Sequence, residues 1–327
     1  REFFSCASLK TLVRYEADPG SLIAIKSDGM RIMYKTTCSL AAILCFLLLI
    51  QPLAWPMQPA TPEEIEQYKK DGTFKQRDEF SRRMANHKIL PDLARRKSMQ
   101  VKLLASSSSI ELNNLPYTTG LPSTGSPKIF VLPIEFPDYL HTASNDQTLL
   151  TDKIFGDGEP EKRPYESLTN YYRRASYNQL NIQGDVFPWY KAKYNRSSYS
   201  GAGSIIKEAL ENWKNSADFT KYDNNNDGKI DYFAVLWTGP DTGKGSLWWG
   251  WCDMSQNTFG SDSYTIDGKK LGIFSWQWES RPFGTEFDPI VIMHETGHGL
   301  GLPDYYDYND AIGPRGGLGG MDMMDHN

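Results

Sequence analysis

From Lys128 onward the chain alternates short apolar runs with amphipathic stretches. KIFVLPIEF (Lys128–Phe136), LNIQGDVFPWY (Leu180–Tyr190) and DYFAVLW (Asp231–Trp237) read as buried strands. Between the last two, Ile205, Ile206, Ala209, Leu210 and Trp213 recur at helical spacing behind Ser204 as N-cap. That pattern predicts a helix laid on the sheet. A second helix is predicted near the C-terminal end, with Asp288 as N-cap, Pro289 as first helical residue, IVIM as a buried turn and Gly301 as terminator. Strands interleaved with helices predict an α+β domain over 128–327: a mixed twisted sheet, a backing helix and a helix that carries the chemistry.

Upstream the texture is polar. Thr61 as N-cap, Pro62 at the first helical position and Glu64 form a capping-box pattern. A charged stretch from Thr73 to about Leu104 follows, with Arg82-Arg83 and Arg95-Arg96-Lys97, and then a Ser, Gly and Pro linker to Pro127. Residues 55–127 therefore read as a pro-segment and linker, the plainer alternative being a flexible arm. Before them, MYKTTCSLAAILCFLLLIQPLAWP has a short basic start, an apolar run from Leu40 to Ile50, and two prolines. The run is shorter than the roughly 20 residues of a spanning helix, so 33–54 reads as a secretory signal rather than a membrane anchor. Residues 1–32 then read as a non-native leader, with translation starting at Met30 or Met33.

Secretion changes how the cysteines count. Of the four, Cys6, Cys38 and Cys45 precede the expected mature chain, which leaves Cys252 without an internal partner. Asn195 opens NRS, the one glycosylation sequon. A net charge of −5 with scattered Lys and Arg argues against nucleic acid as a partner. The expected product is an extracellular monomer with no stable membrane insertion.

Chemistry is concentrated in HETGHGLGLPD, His294–Asp304. On a helix His294 and His298 lie one turn apart on the same face, where their imidazoles can hold one ion with Glu295 alongside. Neutral imidazoles and an open position suit zinc, with Glu295 as general base. Gly301 permits a sharp turn that brings Asp304 back as third metal ligand, with Glu279 and His326 as reserves. A methionine from GGMDMMDHN, Met324, is the candidate to lie beneath the histidines. Separately, Asp223, Asn225 and Asp227 alternate before Gly228 like the first half of an EF-hand loop. Ala234 stands where the twelfth-position ligand belongs, so Asp231 or a residue from elsewhere must complete a calcium site.

HETGHGLGLPDYYD with GGMDMMD, preceded by DFTKYDNNNDGKIDYFAVLWTG and IFVLPIEFPD, resembles the immune inhibitor A family of secreted metallopeptidases from about Ile129 to the end. The resemblance implies a zincin-type, metzincin-like catalytic domain, a signal and pro-region, endopeptidase activity on protein or peptide substrates, and bound zinc and calcium. Met324 would form the Met-turn. A carboxylate at Asp304 departs from the metzincin histidine, and Trp249-Gly250-Trp251-Cys252 stands where the family often carries a histidine. The chain ends directly after the expected Met-turn, which predicts a catalytic domain incomplete at its C-terminus, weak in zinc binding and poor in cleavage. Two other functions compete: an inactive secreted homologue that binds calcium or protein, and a zinc hydrolase acting on something other than peptides. Retention of both His294 and Glu295 argues against loss of activity.

Overall fold

The apolar runs pair as a sheet because strands buried on both faces must satisfy their backbone groups laterally. A computed structural model of the chain describes residues 60–89, 120–158, 167–308 and 322–325. The chain divides into two units, 1–53 and 54–327, and every described residue belongs to the second. The leader and signal expectations, the linker up to residue 119, and His326 lie outside the described residues. Among the described residues no helix is long and apolar enough to cross a membrane.

β1 (Lys128–Glu135), β2 (Gln183–Val186), β3 (Tyr190–Lys191), β4 (Lys229–Trp237), β5 (Trp251–Cys252), β6 (Thr265–Ile266) and β7 (Lys269–Trp278) form one sheet in the order β2-β1-β4-β7-β5. β1, β2, β4 and β7 run parallel, while β5 and β6 pair antiparallel with β7. The sheet is therefore mixed, as expected. The single strand expected over 180–190 is instead two, β2 and β3, both beside β1. Pro188 lies between them and Pro133 stands opposite within β1, and neither has an N–H to donate to a continuous ladder.

The helices are α1 (Pro62–Lys70), α2 (Phe74–Met84), α3 (Gln147–Phe155), α4 (Leu168–Ala175), α5 (Ala202–Trp213) and α6 (Ile290–Gly299). The expected capping box on α1 is present, with Thr61 Oγ1 accepting from Glu64 N and Glu64 returning to Thr61 N. α5 starts three residues earlier than Ser204 predicts: Gly201 is its N-cap, and the Ser204 hydroxyl bonds back to the Gly201 carbonyl inside the first turn. α6 starts one residue later than expected, with Pro289 as cap, although Asp288 still accepts from Ile290 N at 3.0 Å.

Successive residues of β4 point to opposite faces. On one face Phe130, Phe233 and Phe274 stack across β1, β4 and β7 with ring centroids 4.8 and 5.3 Å apart. Phe187 extends the ladder and meets Trp213 at the end of α5. On the other face Tyr232 donates to Ser275 at 2.8 Å and lies 3.2 Å from Thr296 Oγ1 of α6. The sheet thus fixes the depth of α6, and all ten of its residues are buried.

Candidate metal centre

α6 ends where the sequence places its terminator. Gly301 has φ +95°, and its N–H reaches His298 O at 2.8 Å while Leu302 N reaches Gly297 O at 2.9 Å. This paired closure satisfies the last carbonyls and reverses the chain, which brings residues 302–308 back over the helix.

Three buried side chains meet as a result. Asp304 Oδ1 lies 2.9 Å from His294 Nε2 and 3.4 Å from His298 Nε2, and each side chain is sealed from solvent. The other ring nitrogens are committed: His294 Nδ1 donates to Met323 O at 2.7 Å and His298 Nδ1 to Leu302 O at 2.8 Å. A carbonyl can only accept, so each neutral imidazole keeps its Nε2 lone pair, and both lone pairs face a carboxylate oxygen. Neither Nε2 atom nor Asp304 Oδ1 has a hydrogen-bond partner of proper geometry. Three buried electron-pair donors aimed at one another call for a cation or for protons, and two imidazoles with one carboxylate are a donor set that zinc takes.

Without a cation, protons fill the role. Burial would lower the His294 pKa, but the Asp304 carboxylate beside it prevails and raises it to about 9. Burial would likewise raise Asp304, yet His298 and His294 hold it far below the usual carboxylate range. Glu295 is not part of the converging trio. Burial, opposed by His298 and His294, pushes its carboxyl up to about 7, and both its oxygens are buried without a partner. A carboxyl poised there can take or give a proton near neutrality.

Met324 lies against Gly297, where its sulfur fills the space a Cβ would need, and Met323 supplies the carbonyl that orients His294. The reserve ligand Glu279 is elsewhere, accepting from Thr142 N and Asn145 Nδ2 at 2.7 Å each, and does not join the histidines. Sequence patterns miss Tyr308, whose hydroxyl donates to Asp304 Oδ2 at 2.6 Å, and Asn86, whose carbonyl accepts from Asp304 N at 2.8 Å. The aromatic run after Asp304 hints at Tyr308, whereas nothing local marks Asn86.

In the acidic loop the carboxylates of Asp223, Asp227 and Asp231 offer oxygens within 4.8 Å of one another. Asn225 joins through Nδ2 to Asp231 at 3.1 Å. Asp223 also accepts from Asp227 N, Gly228 N and, at 2.6 Å, Lys269 Nζ. Burial raises the Asp231 pKa to about 7. These oxygens suit a hard cation, with Lys269 already supplying one positive charge. Asn195 is exposed.

Two buried histidines and a glutamate on a helix behind a mixed sheet, with Asp304 returned to them by the loop after Gly301, make a donor set of the kind that metallopeptidases use. The comparisons agree at that level. The chain is 29% identical over 234 residues to the pre-pro-metalloprotease PrtV of Vibrio cholerae serotype O1, covering 55% of this chain and 25% of that protein. It is 24% identical over 228 residues to immune inhibitor A of Bacillus thuringiensis subsp. alesti, covering 55% of this chain and 33% of that protein. No protein-family model matches. The chain thus spans a quarter to a third of the length of these relatives, and the likeness supports a metallopeptidase family without singling out a member.

Proposed function

We propose that the chain is a zinc-dependent endopeptidase, secreted through residues 33–54 and folded in the zincin manner, that hydrolyses peptide bonds in proteins. The observation that carries this reading is the pair of imidazole lone pairs facing Asp304 with both Nδ1 atoms tied to carbonyls. His294, His298 and Asp304 would hold zinc, which when bound supplies a Lewis acid that makes water nucleophilic at neutral pH. Glu295 takes a proton from the attacking water and delivers it to the leaving amine. Met324 is the proposed Met-turn residue, and Asp223, Asn225, Asp227 and Asp231 the proposed calcium ligands. Residues 55–127 are the proposed pro-segment.

Casein cleavage by the purified chain, with and without chelator, tests the activity. Glu295→Gln should retain zinc and lose at least a hundredfold in turnover, since only the proton carrier is removed. Turnover within tenfold of the parent would refute the assignment.

A further inference from the structure

α2 ends at Ala85, a non-glycine residue held at φ +66°. Such a backbone persists only where the surroundings enforce it. The next residue shows what enforces it. Asn86 is 2% exposed and inserts its carboxamide against the free edge of β5. Its Nδ2 donates to Cys252 O at 2.6 Å, and its Oδ1 accepts from Cys252 N at 3.2 Å. The side chain thus pairs with the strand as one more peptide group would.

With its side chain so clamped, the main-chain carbonyl of Asn86 is fixed in place and accepts from Asp304 N at 2.8 Å. Neighbouring residues hold Asp304 through Tyr308. Arg82 Nη2 donates to Tyr308 O at 3.2 Å, and the His87 ring lies 4.9 Å from the Tyr308 ring. Tyr308 in turn donates its hydroxyl to Asp304 Oδ2. Of the two Asp304 oxygens, one is therefore braced by Tyr308 and the other faces the histidines.

We propose that residues 82–87 are a positioning part of the metal centre: Asn86 and, through Tyr308, Arg82 and His87 hold Asp304 at the histidines. The inference rests on the zinc reading of that trio. Releasing residues 82–87 removes these three supports of the Asp304 loop, so the third donor loosens when the segment leaves.

The test uses the full chain loaded with zinc, or with cobalt(II) as a spectroscopic substitute, and reads metal rather than activity. Asn86→Ala should speed zinc transfer to a chromophoric chelator about tenfold and weaken the visible cobalt bands, which report the ligand set. Asn86→Asp keeps the acceptor for Cys252 N but loses the donor, and should fall between. Tyr308→Phe keeps the ring on His87 and loses only the hydroxyl, and it should show the same direction; Asn86→Asp decides the matter if Asn86→Ala does not fold. Transfer rates and cobalt spectra equal to the parent's in every Asn86 variant that folds would overturn the proposal, whatever Tyr308→Phe shows. A parent chain that takes up neither metal would instead overturn the zinc reading, and this inference with it.

Discussion

Burial acts in the same direction on Glu295 and Cys252, disfavouring the charged form of each, and leaves them with opposite reactivity. Glu295 at about 7 exchanges its proton near neutrality. The Cys252 thiol, fully buried, is pushed well above its ordinary value by burial and by Glu295. It should therefore stay a thiol and resist alkylation in the native protein, reacting only after denaturation. Rapid native labelling, followed by mass spectrometry, would contradict this. Gly299 shows another residue-scale constraint: a Cβ there would lie 2.7 Å from the ring of Tyr232, which is held by Ser275 and Thr296. Gly299→Ala should cost about 1–3 kcal/mol by overpacking, read as a lower urea midpoint. The convergence of His294 and His298 was legible from spacing alone, because i, i+4 fixes a shared helix face. Asn86 was not, since its role depends on an edge strand more than a hundred residues away.

At the scale of elements, the reversal at Gly301 decides which carboxylate meets the histidines. Asp304→Ala should lose zinc under mild chelation far more readily than Asp307→Ala, measured as metal per protein after dialysis. Equal retention would dissociate Asp304 from the metal. The acidic turn before β4 makes a separate prediction. Calcium should raise the thermal midpoint of the parent, and Asp227→Ala should reduce that gain, because only the folded loop gathers the three carboxylates. No calcium-dependent shift in the parent would remove the loop from consideration. β1, β4, α5 and α6 could be read from apolar runs and helical spacing. β7 was missed although it is the longest strand, because Gly272, Ser275 and Gln277 interrupt its apolar pattern. The β6–β7 hairpin was also missed despite Asp267-Gly268, both at positive φ, a two-residue signal for such a turn.

At the scale of the whole molecule, parts distant in sequence come together around the His294, His298 and Asp304 trio: α6, the loop to Tyr308, residues 322–325 through the Met323 carbonyl, and the residue pair after α2 through Asn86. Zinc at about a hundredfold over its dissociation constant should add about 2.7 kcal/mol to stability. For a domain of this size that is a rise of roughly 5–10 °C in the thermal midpoint, absent in His298→Ala. A parent midpoint indifferent to zinc would sink the trio as a metal site. The sequence by itself determined what is local: the helix that pairs His294 with His298, the glycine that ends it, the capping box on α1, and the strands whose runs are apolar throughout. These follow from propensity and periodicity, which act over a few residues. Only the tertiary structure decided that Asp304 rather than Glu279 faces the imidazoles, that their Nδ1 atoms are tied to backbone carbonyls, and that the N-terminal segment reaches the same loop. Those contacts join residues far apart in sequence, and which of them form is settled by how the sheet and helices pack together.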